Sequence, residues 1–164
     1  MIVVADTSPL NYLIRLDHPD LLHTIYGRVL VPQAVLIELK HPESPAEVRA
    51  WASAPPAWLE TVQVRQVDAT LAVDLGAGER EAISLAIEVQ ADVLLIDERL
   101  GLREAEARHI EVAGTLAVLL QASLLGYLNF PEVVKQLRRI GFRVSETMEA
   151  SMLARHEQAK KAKP

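Results

Sequence analysis

The chain contains IVVAD at residues 2–6 and VLLID at residues 93–97, two short apolar runs that each end in an aspartate. Short apolar runs without alternation are typical of strands that are buried on both faces of a parallel sheet. Ligands of open α/β sheets bind beyond the carboxyl ends of the strands. Asp6 and Asp97 are therefore predicted to lie where chemistry takes place, and buried carboxylates at that edge need a compensating cation.

The rest of the chain alternates between strand patterns and helix patterns. Further strands are predicted at residues 28–31, 58–64 and 110–112, the second of them at a sheet edge. Helices are predicted at residues 8–15, 19–27, 33–40, 43–54, 79–90, 100–108, 115–125, 130–140 and 145–160. This alternation predicts an α/β fold, a three-layer α/β/α sandwich with a central, mainly parallel sheet.

Length and composition fit one compact domain. The 164 residues are 50% hydrophobic and 24% charged, enough for one core and too few for two ordinary domains. The absence of cysteine excludes disulfides, thiolate zinc sites and cysteine nucleophiles, and it agrees with a reducing compartment. Because no apolar run reaches the roughly 20 residues of a membrane span and no signal-type N-terminus is evident, we expect a cytoplasmic protein.

The chain is acidic overall. The net charge is −5, from 22 acidic and 17 basic residues, whereas a protein that binds nucleic acid over a broad face is usually basic. Any contact with nucleic acid must therefore depend on local basic patches or on metal ions. Basic residues cluster at 135–143 and 155–163, and the second group is typical of a solvated terminus.

Four acids lie at predicted element ends or near helix starts. Asp6 and Asp97 end strands, Glu38 lies two turns into a helix, and Glu79 begins the helix after Gly78. An oxygen-rich cluster of this kind suits Mg²⁺ or Mn²⁺. Two such ions about 4 Å apart can cleave a phosphodiester without a covalent nucleophile. Each acid alone also has a structural explanation, as a helix cap, a complement to the helix dipole or a solvated side chain.

The acids stand in segments that resemble the PIN-domain family. The resemblance rests on Asp6-Thr7-Ser8 after an apolar strand, on residues 31–38, 78–86 and 94–97, and on Gly114-Thr115 before an apolar helix. Within that family the chain is similar to the VapC-like toxin branch, and the resemblance covers about residues 1–145. It implies a PIN-like nuclease domain at 1–145, with 146–164 as the C-terminal helix and basic tail of the same domain.

The resemblance implies a Mg²⁺- or Mn²⁺-dependent endoribonuclease that hydrolyses RNA phosphodiester bonds. It also implies that the protein is the toxin of a toxin–antitoxin pair, with a small antitoxin protein as its partner. A homodimer is a second association that the resemblance implies. The apolar residues near the N-terminus either pack in the core or form the surface that binds a second copy or the antitoxin. These residues are Leu10, Tyr12, Leu13, Leu21, Leu22, Ile25 and Tyr26. The alternative is a PIN-like RNA- or protein-binding module without catalysis. The presence of Asp6, Glu38 and Asp97 favours the enzyme.

The family pattern places metal ligands at Asp6, Glu38 and Asp97. For the third acid, a gap-free pairing selects Glu79 and leaves Glu81 as the alternative. These two glutamates point about 200° apart around a helix, so they cannot face one metal ion equally.

Other polar residues beside the acids have predicted roles. Ser8 is predicted to orient Asp6 or a metal-bound water, or to cap its helix. Thr115 is predicted to cap its own helix. Arg99 and Arg103 are predicted to bind substrate phosphate, with surface ion pairs to nearby glutamates as the alternative.

Other enzyme classes fit these residues less well. A dehalogenase-type phosphotransferase needs a second aspartate where the chain has Ser8. The five histidines are scattered without the spacing of zinc ligands, and the chain has no Walker-type phosphate loop.

Overall fold

The computed structural model describes residues 1–163. Within these residues the strands are β1 (Val3–Ala5), β2 (Val29–Pro32), β3 (Leu59–Val62), β4 (Val93–Leu95) and β5 (Val112–Ala113). The helices are α1 (Thr7–Arg15), α2 (Leu21–Tyr26), α3 (Gln33–Leu39), α4 (Ala46–Ser53), α5 (Ala77–Glu88), α6 (Arg99–Glu106), α7 (Thr115–Leu124), α8 (Phe130–Arg139) and α9 (Glu146–Ala162).

All five strands are parallel and lie in the order β3-β2-β1-β4-β5. The strand β1 is central, with Val3 opposite Val29 of β2 and Val93 of β4. Every residue of β1 is fully buried, as expected for a parallel strand that is covered on both faces. Helices flank the sheet, so the predicted three-layer α/β/α sandwich is confirmed.

The packing of helix α5 against the sheet fixes the position of its first turn. The helix packs against β1, β2 and β4, because its apolar residues lie on one side. Ala82, Ile83, Leu85 and Ala86 are buried in a cluster with residues from β1 and β4. This packing fixes the start of α5 beside the carboxyl ends of the central strands.

Three helices begin earlier than the sequence predicted, and one of them is α6, which begins a single residue early at Arg99. The helix α1 begins at Thr7, with Asp6 at the N-cap position and no capping bond from its side chain. The helix α5 begins at Ala77, so Gly78 lies in its first turn, whereas the sequence pattern placed it in a loop. Asp6 is therefore not a capping residue, and Gly78 has a packing role that is described below.

Residues Met1–Thr115 form one compact unit, and the chain from Leu116 onward forms a second. In the second unit, Ser145 caps α9 by accepting a hydrogen bond from the Met148 backbone N–H at 3.1 Å. His156 is the buried residue of α9. Its Nε2 lies 2.8 Å from the Ser123 hydroxyl, and its ring stacks on Phe130. That residues 146–164 are the C-terminal helix and basic tail of the same domain as residues 1–145 stays a prediction.

The apolar residues near the N-terminus divide into two groups. Leu10, Leu13, Leu21 and Leu22 are buried, which favours core packing as the explanation for the leucines. Tyr12, Ile25 and Tyr26 are partly exposed. Across residues 1–163, none of the helices combines the length and the apolar character that a membrane span requires.

Candidate metal centre

Asp6 and Asp97 lie at the point where the strand order of the sheet reverses. The chain adds β2 and β3 on one side of β1, and then β4 and β5 on the other. Ala5 and Leu95 are opposite each other in the register, and the Asp6 backbone N–H donates to the Leu95 carbonyl at 2.8 Å. Both aspartates therefore follow the carboxyl ends of adjacent strands, which is the usual ligand-binding position of such sheets.

The Asp6 side chain is buried without a hydrogen bond to one of its oxygens. It is 2% exposed, and within the described residues its Oδ1 has no partner. Burial raises the pKa of Asp6, the hydrogen bond from the Thr7 backbone N–H lowers it, and the negative charges of Glu79, Glu38 and Asp97 raise it, with a net result of about 7. Since all three carboxylates act on Asp6, the fold collects the four predicted acids in one place.

Glu38 connects the starts of two helices. Its Oε1 accepts a hydrogen bond from the Gly78 backbone N–H of α5 at 2.8 Å, and its Oε2 accepts one from the Thr7 hydroxyl of α1. A Cβ atom added at Gly78 would lie 2.8 Å from Glu38 Cδ. The side chain of Glu38 therefore occupies the space that any residue larger than glycine would need at position 78.

Asp97 is held by a single residue at the start of α7. The Thr115 backbone N–H donates to Oδ1 at 2.7 Å, and the Thr115 hydroxyl donates to Oδ2 at 2.6 Å. Burial raises the pKa of Asp97, and the two bonds from Thr115 oppose that rise. Thr115 is itself fully buried. It therefore fixes both oxygens of Asp97 and favours the charged carboxylate.

Glu79 and Glu81 have different partners. Glu79 accepts a hydrogen bond from the Gly76 backbone N–H at 2.9 Å. Burial raises its pKa, as do the charges of Glu98 and Glu38, while the bond from Gly76 lowers it. Glu81 accepts a hydrogen bond from the Ala34 backbone N–H of α3 at 3.0 Å. The geometry therefore favours Glu79 as the member of the acidic cluster and gives Glu81 a role at the start of α3.

The remaining predicted residues lie around the cluster. Ser8 is half-buried in the first turn of α1, and the hydroxyl that reaches Glu38 belongs to its neighbour Thr7. Arg99 and Arg103 are exposed on α6. In the ion pairs formed among residues 1–163, neither arginine takes part. Their alternative role in surface ion pairs therefore has no support.

Three residues of the site were missed in the sequence. Thr7 and Thr115 donate hydrogen bonds to Glu38 and Asp97, carboxylates of the acidic cluster that are 31 and 18 positions away. Glu98, at the N-cap of α6, accepts a hydrogen bond from Gly101 at 2.9 Å and adds negative charge beside Glu79. Gly114-Thr115 was a visible signal, but its local pattern indicated a helix start and not a bond to Asp97.

The donor set fits a divalent cation. Carboxylate oxygens are the ligands that Mg²⁺ and Mn²⁺ prefer, one buried oxygen of Asp6 has no partner, and none of the ion pairs within residues 1–163 involves the four acids. As they stand in the described chain, no three of the side chains converge on one ion position. Mg²⁺ is usually held by one or two carboxylates with several waters, so it does not require such convergence.

Comparison with known proteins identifies the family. The family model described as DUF3368, a PIN domain, matches residues 2–158. Among curated proteins, none matches the chain. Because the family match spans nearly the whole chain, the protein belongs to the PIN-domain family, whose members have a nuclease-type fold and typically use divalent metals.

Proposed function

We propose that the protein is a Mg²⁺- or Mn²⁺-dependent endoribonuclease whose site is built by Asp6, Glu38, Glu79 and Asp97. The observation that supports this most is Asp6, a buried carboxylate with an unpartnered oxygen and a pKa raised to about 7 beside three other acids. Such repulsion has no benefit for folding, whereas a cation would relieve it.

The four acids have different tasks in this proposal. Asp6 and Asp97 supply carboxylates from adjacent strand ends, while Glu38 and Glu79 supply them from α3 and α5. A divalent cation bound there would lower the pKa of water and stabilise negative charge on the leaving oxygen. Thr115, Thr7, Gly78 and Gly76 hold the acids through the hydrogen bonds described above, which is the usual task of residues behind metal ligands.

Single-stranded or looped RNA is the proposed substrate, because bases must be accessible if they are to contact a surface site. Arg99 and Arg103 are proposed to bind its phosphates. Both side chains are exposed at the start of α6 and in its last turn, just after Asp97, and their guanidinium groups suit phosphate oxygens.

Calorimetry with Mn²⁺ on the wild type and on Asp97→Asn, beside cleavage of a mixed-sequence RNA, tests the proposal. We expect the wild type to bind Mn²⁺ and to cut the RNA, and the variant to lose both. If the wild type binds RNA but no metal, the non-catalytic binding module becomes the better explanation. If Asp97→Asn is fully active at saturating Mn²⁺, the four-acid mechanism is wrong.

We also propose that the protein is a toxin that a small antitoxin protein holds inactive, and that it forms a homodimer. This proposal is supported by the resemblance of residues 1–145 to VapC-like proteins and by the partly exposed Tyr12, Ile25 and Tyr26. Expression of the chain alone should arrest growth of a bacterial host, and Asp97→Asn should not. Light scattering of the purified chain tests the homodimer, and a strict monomer would count against it.

A further inference from the structure

A groove beside Glu38 has polar groups to which the four-acid mechanism gives no task. The groove has a volume of about 380 Å³ and is lined by Asn11, Glu38, His41, Glu43, Ser44 and Pro45. The groove is shallow and open to solvent, so an occupant would keep part of its surface exposed. Because Glu38 forms part of its wall, an occupant of this groove would lie directly next to the acidic cluster. We call it the Asn11–His41 groove.

The His41 ring is held in one tautomer. The Glu43 backbone N–H donates to His41 Nδ1 at 3.1 Å, so that nitrogen carries no proton, and the neutral ring carries its proton on Nε2. The turn that carries His41 is itself fixed, because the Ser44 N–H donates to the His41 carbonyl and the Ser44 hydroxyl donates to the Glu38 carbonyl, both at 2.9 Å. His41 therefore offers one N–H donor from a rigid loop.

Asn11 lies on α1, one turn beyond Thr7. Its amide forms no hydrogen bond with other residues in the range 1–163, so both its carbonyl and its NH₂ group are available. A donor and an acceptor side by side on a planar amide match the edge of a nucleobase. Asn11 and His41 together therefore offer an NH₂ group, one ring N–H donor and one carbonyl acceptor at the groove.

The charge of the groove excludes phosphate as its occupant. Two of the lining residues, Glu38 and Glu43, carry carboxylates, and the lining within the described chain contains no Lys or Arg. A phosphate group would be repelled by these carboxylates, whereas a neutral base would not. Unpaired bases of single-stranded RNA are commonly recognised by hydrogen bonds to their edges and by stacking on rings such as histidine.

We propose that the Asn11–His41 groove binds the base of the nucleotide next to the scissile phosphodiester, and that Asn11 and His41 determine which base is preferred there. This inference rests on the proposed ribonuclease function, because Glu38 is shared between the groove and the acidic cluster. It adds a binding site for single-stranded RNA that contacts the base and not the backbone.

Binding of labelled single-stranded RNA to Asp97→Asn protein, measured by fluorescence anisotropy, tests the groove without cleavage, because this variant is expected to lose the metal ion on which cutting depends. Adding Asn11→Ala or His41→Ala should weaken binding roughly five- to tenfold, as expected for the loss of a hydrogen bond. Binding of an otherwise identical strand without bases should not change. His41→Gln retains an N–H donor and should recover part of the affinity.

Matched controls separate the groove from the metal centre. Gln136→Ala removes an exposed amide of α8 that does not line the groove, and it should leave RNA binding unchanged. In the wild-type background, Asn11→Ala and His41→Ala should bind Mn²⁺ as the wild type does, and thermal unfolding should show that both variants fold. Sequencing the ends of the cleavage products should reveal a base preference that these variants lose.

The outcomes distinguish the two proposals. If the wild type binds RNA through Asn11 and His41 but never cuts it, the proposed function fails, and the groove stands as a base-binding site for single-stranded RNA. If it cuts RNA while both variants match the wild type in affinity and base preference, the groove is wrong and the function stands. Equal losses with the strand that lacks bases, or no RNA binding at all, would also overturn the groove.

Discussion

At the scale of single residues, the Asp6 carboxylate is in an unfavourable position without a cation. It is buried, one oxygen has no partner, and its pKa is raised to about 7. Replacing it with the neutral isostere in Asp6→Asn should therefore stabilise the metal-free chain at pH 8, on the order of 2 kcal/mol. Denaturant unfolding with EDTA present measures this, and calorimetry should show that the variant has lost Mn²⁺ binding.

Asp74→Asn is the matched control for this change. Asp74 is exposed in the loop before α5, so removing its charge should change the free energy of unfolding by less than about 0.5 kcal/mol. An Asp6→Asn chain that is less stable than the wild type at pH 8 would show that the Asp6 charge has a partner in the folded protein.

Thr115 is expected to act on the metal through Asp97. Thr115→Val keeps the backbone donor and the size of the side chain but removes the hydroxyl that donates to Asp97 Oδ2. The pKa of Asp97 should rise further, because that hydrogen bond lowers it. We expect about tenfold weaker Mn²⁺ binding, the lower end for a residue behind a metal ligand, measured by calorimetry.

A second threonine provides the control. The Thr24 hydroxyl donates to the Asp20 carbonyl at 3.0 Å in an exposed helix, so Thr24→Val loses a hydroxyl hydrogen bond that involves none of the four acids. Its Mn²⁺ affinity should equal that of the wild type. Equal Mn²⁺ affinity in Thr115→Val would mean that the backbone bond alone fixes Asp97.

Some residues of the site can be predicted from the sequence, and others cannot. Asp6 and Asp97 are predictable because each directly follows an apolar run, and a strand end is a local signal. The bonds from Thr7 to Glu38 and from Thr115 to Asp97 join residues far apart in the chain. No local pattern encodes such a bond, since a threonine at a helix start is equally well explained as a cap.

At the scale of elements, the contact between Gly78 and Glu38 joins the start of α5 to the last turn of α3. Gly78→Ala should destabilise the protein by about 1–3 kcal/mol through overpacking, since the added Cβ would lie 2.8 Å from Glu38 Cδ. Helix propensity alone predicts the opposite, a gain of up to about 1 kcal/mol. Thermal unfolding gives the sign, and calorimetry should show weaker Mn²⁺ binding as Glu38 is displaced.

Gly76→Ala is the control within the same helix start. A Cβ at position 76 would lie 3.8 Å from its nearest neighbour, Glu79 Oε2, which is an ordinary contact. Mn²⁺ binding should be retained in this variant. If Gly78→Ala instead stabilises the chain and binds Mn²⁺ normally, Glu38 has room to move and its position is not fixed by α5.

The order and type of the elements could be predicted, because buried parallel strands and amphipathic helices have strong local patterns. The boundaries were less accurate where tertiary contacts decide them. Two glycines before Glu79 indicated a loop, yet α5 begins at Ala77 because Glu38 accepts a hydrogen bond from Gly78 in the first turn. Strand order is likewise set by packing, so the place of β1 at the centre could not be read from the sequence.

At the scale of the whole molecule, the acidic cluster links folding to pH. Asp6, Glu79 and Asp97 all have raised pKa values, so the folded chain binds more protons than the unfolded chain between about pH 4 and pH 7. Stability contributed by these groups is therefore lost as the pH rises through that window, and levels off above it. The lowered pKa of Asp68, about 2, has the opposite sign and acts only at lower pH.

Denaturant unfolding of the metal-free chain should consequently show lower stability at pH 8 than at pH 5, with a smaller difference in Asp6→Asn. Mn²⁺ should remove this difference, because the ion binds the charged carboxylates and competes with protons. At one hundred times its Kd the ion adds about 2.7 kcal/mol to the stability of the folded state.

A pH dependence of the stability that is the same in wild type and Asp6→Asn, with or without Mn²⁺, would contradict a shared site. The reversal by Mn²⁺ is the sharper result, since repulsion among acids without a metal function would respond to pH but not to a divalent ion.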